Sequence, residues 1–115
     1  MIKIKFSDEA EEMMNFLRKE AVHSKKERMI FDSVVQKIKL IEMNSEYGQS
    51  IKKKLIPKFY RKKYLAKNLF RVELPQFWRM LYTLRFESRE VEIIAFILDV
   101  VDHKEYNRKF KYRQK

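Results

Sequence analysis

Hydrophobic and polar positions divide the chain into segments of two different periods. Ile2, Ile4 and Phe6 alternate with Lys3 and Lys5, the period of a short strand with one buried face. Ser7 follows as a helix cap, and Asp8, Glu9, Glu11 and Glu12 fill the first turn, where the helix dipole favours negative charge. Ala10, Met13, Met14, Leu17 and Ala21 form the apolar stripe of a first helix that should end near His23. Ser24 with Glu27 has the form of a capping box opening a second, longer helix to about Glu46, with Phe31, Val34, Val35, Ile38 and Ile41 on one face. The tight connection predicts that the two helices pack as a hairpin. Gly48, the only glycine, suits the left-handed residue that commonly ends a helix.

From Leu69 the period becomes two. Phe70, Val72 and Leu74 alternate with Arg71 and Glu73, and after Pro75-Gln76-Phe77 the residues Trp78, Met80, Tyr82 and Leu84 alternate with Arg79, Thr83 and Arg85. This is a hairpin pattern. A loop of odd length places residue 73 opposite 79 and gathers Phe70, Val72, Trp78, Met80 and Tyr82 on one face. Arg71, Arg79 and Arg85 then share the other face, whereas a two-residue loop would mix arginines with the core. A second turn at Glu87-Ser88-Arg89-Glu90 leads into VEIIAFILDVV, which is apolar on both faces and reads as a central strand whose register the sequence leaves open. Asp102-His103-Lys104-Glu105-Tyr106 and a basic tail from 107 to 115 end the chain, with Tyr106 and Phe110 at helical spacing for a short last helix.

The expected order is therefore strand, helix, helix, strand, strand, strand, short helix. This is an α+β fold in which a two-helix hairpin covers one face of a small, mainly antiparallel sheet and leaves the other at least partly open. With 115 residues there is material for one core, so residues 1–115 are expected to form a single domain.

Charge adds what periodicity cannot. Residues 1–46 hold nine Lys/Arg and nine Asp/Glu, while residues 47–115 hold eighteen and seven, so the whole net charge of +11 lies in the second part. Such a field attracts polyanions, and counterion release supplies affinity for phosphate without sequence preference. The densest stretch, QSIKKKLIPKFYRKKYLAKN, has no acid, and its Lys52, Lys53, Lys54, Lys58, Arg61, Lys62 and Lys63 are candidate nucleic-acid contacts with Arg71 and Arg85. Pro57 argues against one continuous helix there, and Phe59, Tyr60 and Tyr64 either stack on bases or anchor the segment to the core. The absence of cysteine excludes disulfides and thiolate metal sites and is the composition expected of an intracellular, cytoplasmic protein. No apolar stretch approaches the length that spans a bilayer, so no membrane partner is expected.

The sequence lacks a Gly-rich phosphate loop, a His-x-x-x-His pair and a nucleophile elbow. With only His23 and His103, a catalytic metal is not expected, nor is a small-molecule cofactor. Metal-free cleavage of RNA needs only a positioned backbone, positive charge at phosphorus and help with protons, because the ribose 2′-OH can attack its own phosphate. Arg71 and Arg79 are diagonal neighbours that can grip one phosphate, while His103 or Tyr106 can serve the protons. Tyr106 can equally well only pack beside Phe110. His23, at a helix end, is assigned no catalytic role.

The segment NLFRVELPQFWRMLYTLRFES followed by IIAFILDVVDHKEY, together with the order of elements, resembles the RelE/ParE superfamily of type II toxin–antitoxin toxins. The similarity is concentrated in Ile56-Pro57 leading to Asn68-Leu69, in Trp78-Arg79-Met80-Leu81-Tyr82, and in Asp102-His103-Lys104 to Tyr106. In the RelE branch the resemblance implies a ribosome-dependent mRNA endonuclease with a cognate antitoxin. Arg79 then matches the strand arginine at the scissile phosphate, His103 and Lys104 match the basic residues after the last strand, and Tyr106 matches the late tyrosine. The ParE branch shares the fold but inhibits DNA gyrase, and a non-catalytic nucleic-acid-binding domain of the same fold is a third expectation.

Overall fold

The computed structural model describes residues 2–87 and 92–110. Strand β1 (Ile2–Phe6) leads into helices α1 (Asp8–Glu20) and α2 (Lys25–Met43), then a two-residue strand β2 (Gln49–Ser50), a 3-10 turn (Lys53–Leu55) and helix α3 (Lys58–Tyr64). Strand β3 (Phe70–Glu73), a second 3-10 turn (Pro75–Phe77), strands β4 (Arg79–Glu87) and β5 (Glu92–Val101), and helix α4 (His103–Lys109) complete it. The five strands form one mixed sheet in the order β1-β5-β4-β3-β2, with β1 parallel to β5 and the other pairs antiparallel. The fold is thus a small α+β one with four helices among the described residues, and the strand apolar on both faces is an interior one.

Local chemistry explains the helix starts. The Ser7 side chain accepts from the Ala10 N–H at 3.0 Å and its hydroxyl donates to the Leu98 carbonyl at 2.7 Å, so one residue caps α1 and ties it to β5. Ser24 caps α2 and also donates to the Glu27 carboxylate. Ala10, Met14 and Leu17 of α1 and Ile30, Val34 and Ile41 of α2 pack with Phe70, Val72, Met80, Tyr82, Ala95 and Ile97 in a first core on one sheet face. Val35, expected on the buried stripe of α2, is exposed, and Ile30 is buried in its place.

The hairpin register is the one the arginine pattern demands: Glu73 lies opposite Arg79 and Val72 opposite Met80. Trp78 stays buried but belongs to the turn before β4, where its carbonyl accepts from the Leu74 N–H at 2.9 Å. Between β4 and β5 the register slips by one residue, from Leu81 opposite Asp99 to Tyr82 opposite Ile97. The bulge leaves Leu98 and Asp99 both facing away from the first core, which a strict alternation could not anticipate.

One expectation is narrowed and one is corrected. The face opposite α1 and α2, expected to be at least partly open, carries a second layer. Ile56, Tyr60, Tyr64, Ala66 and Leu69 pack there with Leu81, Leu98, Val101, Tyr106 and Phe110 in a second core, so α3 and α4 cover it. Tyr60 and Tyr64 are four residues apart and therefore share a helix face, and this is what anchors the basic connection. Phe59, between them and the solvent, is 39% exposed. Gly48 is not left-handed, since the positive-φ residues among those described are Leu65, Gln76 and Phe77. Helix α2 ends instead at extended Asn44, and the absent side chain of Gly48 serves close packing: a Cβ would meet Tyr82 Cε1 at 3.0 Å and the Arg71 carbonyl at 3.1 Å. The turn expected at 87–90 lies outside the described residues apart from Glu87, as does the tail beyond Phe110. Residues 107–109 of that tail belong to α4.

Candidate functional site

The β3–β4 pairing sets Arg71, Glu73 and Arg79 side by side. The β4–β5 pairing puts Arg79 opposite Val101, so α4, which starts two residues later, brings its first turn to the same place. Asp102 caps α4, accepting from the Glu105 N–H at 2.9 Å, which orients His103 in the first turn and Tyr106 one turn on. Arg71, Glu73 and Arg79 of the hairpin therefore meet His103 and Tyr106 of α4 at one end of the sheet.

Their contacts are direct. Arg79 Nη1 lies 2.7 Å from His103 Nδ1 and donates to the Phe77 carbonyl at 2.8 Å. Arg71 donates through Nη1 to the Tyr106 hydroxyl at 2.8 Å and through Nη2 to Gln49 Oε1 at 2.5 Å. The Glu73 carboxylate spans the two guanidiniums, with one oxygen 3.0 Å from Arg71 Nε and the other 3.2 Å from Arg79 Nε. The Tyr106 ring is stacked on Phe110 with centroids 4.4 Å apart, and Arg79 Cζ sits 4.6 Å from its centroid. Tyr106 is 5% exposed and packs beside Phe110. It supports both arginines, one through its ring and one through its hydroxyl.

A guanidinium only donates, so His103 Nδ1 accepts in its contact with Arg79. Nε2 lies 3.1 Å from Asn107 Nδ2.

Other predicted residues fall elsewhere. Lys104 is exposed on the first turn of α4, and among the described residues no hydrogen bond or ion pair joins it to the cluster. Arg85 has the same facing as Arg79 but lies six residues along β4, donates to the Tyr64 carbonyl and stacks 4.7 Å from the Phe96 centroid, so it braces α3 rather than extending the site. Lys52, Lys53, Lys54, Lys58, Arg61, Lys62 and Lys63 are all exposed, but on the α3 layer and away from the arginine pair. Lys63 is engaged with Glu9 of α1, which also accepts from the Tyr64 hydroxyl. Lys63 first, then Tyr64, hold the Glu9 carboxyl down at about 2, while burial, reinforced by Glu9, pushes the Tyr64 phenol up.

Residues the sequence did not single out also shape the site. Gln49 and Glu73 fix the arginines, Asn107 meets His103, and Phe77 stands 71% exposed with its ring 5.9 Å from the imidazole. Phe77 adopts φ 62°, a left-handed conformation unusual for an aromatic residue, which turns it out of the strand alternation. Its position in the hairpin loop was the available signal, since an exposed loop aromatic beside cations is a stacking surface.

Behind the cluster, Asp99 binds Lys109 at 2.7 Å and accepts from the Tyr60 hydroxyl at 2.9 Å. This buried network fastens the C-terminal turn of α4 to β5 and α3. Burial, with Asp99 next, pushes the Tyr60 phenol far above its ordinary range, so it stays a donor. Among the described residues no group of His, Asp and Glu is arranged to hold a metal ion, and no helix is long and apolar enough to cross a membrane. No protein-family model, curated protein or solved structure matches the chain.

Proposed function

We propose that the chain is an endoribonuclease of the RelE/ParE toxin kind, cleaving mRNA at the ribosome by metal-free attack of the 2′-OH. The observation that carries this reading is the contact between Arg79 and His103, a cation able to grip phosphate held against an imidazole nitrogen able to accept a proton. When Arg79 turns to a phosphate, it releases His103 Nδ1. The freed nitrogen takes the proton from the 2′-OH as that oxygen bonds to phosphorus. The bond from phosphorus to the 5′ oxygen breaks, the imidazolium returns its proton to the leaving oxygen, and the products are a 2′,3′-cyclic phosphate and a 5′-hydroxyl. Arg71 and Arg79 offset the charge that develops on the phosphate, and Tyr106 positions them. Phe77 offers a face for an adjacent base.

Purified protein added to translating ribosomes should cut mRNA and leave 5′-hydroxyl ends; intact mRNA would reject the reading. The burial of Tyr106 and the Glu73 carboxylate between the arginines favour a second reading, a non-catalytic nucleic-acid-binding domain. Its signature is salt-dependent binding that survives loss of His103. The gyrase-inhibitor alternative requires a change in DNA supercoiling by gyrase. The toxin reading also carries the expectation of a small antitoxin partner, which co-purification with the product of an adjacent reading frame would reveal.

A further inference from the structure

The run of cations between Lys52 and Lys67 looks uniform in the sequence, and the fold sorts it. Lys63 is engaged with Glu9. Lys53, Lys54, Arg61 and Lys67, by contrast, rim one open depression of about 370 Å³ whose floor is Ile56 and Ala66. No acid lines it, and among the described residues none of the four side chains is in an ion pair or hydrogen bond.

The rim is held by the core. Ile56 and Ala66 are 3% and 5% exposed, and Tyr60 between them is fully buried. Pro57 separates the 3-10 turn from α3, and Leu65 in the left-handed conformation, φ 55°, turns the chain so that the Ala66 N–H reaches the Tyr60 carbonyl. Four like charges thus stand around one concavity, and an anion seated there relieves their mutual repulsion. Spread along the turn and α3 instead of converging on a point, they suit a chain of phosphates better than a single small anion. The concave shape also favours a strand over the flat plane of lipid headgroups.

We propose that this depression is a second RNA-backbone seat, which anchors the strand away from the Arg79–His103 pair and takes no part in the chemistry. The proposal deepens the ribonuclease reading and rests on its assumption that RNA is the ligand. It makes holding and cutting separable.

The test uses the full chain and a fluorescein-labelled oligouridine of about 12 nucleotides, with binding followed by anisotropy between about 50 and 200 mM salt. A variant carrying Lys53→Gln, Lys54→Gln, Arg61→Gln and Lys67→Gln is compared with one in which the exposed Lys19, Lys25, Lys26 and Lys39 of the first two helices are changed to Gln, an equal loss of charge. The first should bind at least about tenfold more weakly and lose about 3 from the log–log salt slope, at roughly 0.7 per phosphate released. The second should change the slope by less than about 1. Because all eight residues are exposed, folding is verified by matched thermal melts. Equal losses in the two variants, or an unchanged slope in the first, would overturn the seat and leave the ribonuclease reading standing. Wild-type protein that does not bind the RNA at all would overturn the seat, while the ribonuclease reading stands or falls on mRNA cleavage with translating ribosomes. Binding to vesicles of equal parts phosphatidylserine and phosphatidylcholine that the first variant alone loses, with its RNA slope unchanged, would make the site a lipid contact and overturn the proposal.

Discussion

At the scale of single residues, the candidate site depends on a competition between anions. Glu73 holds the Nε atoms of Arg71 and Arg79 while its own side chain is 58% exposed, so a phosphate arriving at these guanidiniums meets a resident carboxylate. Glu73→Gln should therefore raise affinity for a short RNA by about fivefold, equivalent to about 1 kcal/mol for an exposed pair. Fluorescence anisotropy measures this, and unchanged affinity would mean that the carboxylate does not compete. Arg79→Ala should lower single-turnover cleavage by about 10²- to 10³-fold, the scale of one lost transition-state donor. Arg79→Lys should recover little of it, because an ammonium offers neither the planar fork nor the stack on Tyr106. Much of this cluster was legible in advance. Arg71, Arg79, His103 and Tyr106 were separable from the lysines by alternation and by position after the last strand. Glu73 was not, because a charged residue on a strand gives no sign of which neighbour it will bind.

At the scale of elements, α4 carries both His103 and Tyr106, and its attachment is polar as well as apolar. Lys109 and Asp99, with side chains 13% and 7% exposed, form a buried pair whose carboxylate also receives the Tyr60 hydroxyl. Lys109→Ala leaves Asp99 buried without its cation and should cost about 3 kcal/mol in urea unfolding. Asp99→Leu combined with Lys109→Met should cost less than that single change, since no unpaired charge remains. A larger loss for the double variant would mean that the pair contributes net stability beyond offsetting its own desolvation. The elements also show where pattern reading stops. Alternation placed residue 73 opposite 79 because a shift by one would have put arginines in the core. It could not place the bulge at Leu98, since β5 is apolar on both faces and either facing satisfies the pattern. Helix α3 is hidden in the sequence because four of its seven residues are cationic, although Tyr60 and Tyr64 alone supply its buried face.

At the scale of the whole molecule, two layers enclose the sheet, and a contact between Glu9 of α1 and Lys63 and Tyr64 of α3 links them. The Glu9 carboxyl, normally near 4.5, is held at about 2 when folded, chiefly by Lys63. Its stabilising contribution is therefore complete above the unfolded value and lost as pH falls from there toward the folded one. Glu9→Gln should flatten the acid side of a melting-temperature profile between about pH 5 and pH 2, and less so in high salt because both partners are over two-fifths exposed. Parallel profiles for the two proteins would show that the contact does not couple the layers.

Whether Arg79 and His103 together cut RNA is decided on mRNA engaged by translating ribosomes. Primer extension after addition of wild-type protein should reveal new 5′-hydroxyl ends within the reading frame, and an Arg79→Ala, His103→Ala double variant with an unchanged melting temperature should leave the message whole. Equal cleavage by the double variant, or intact mRNA with the wild-type protein, would contradict the account.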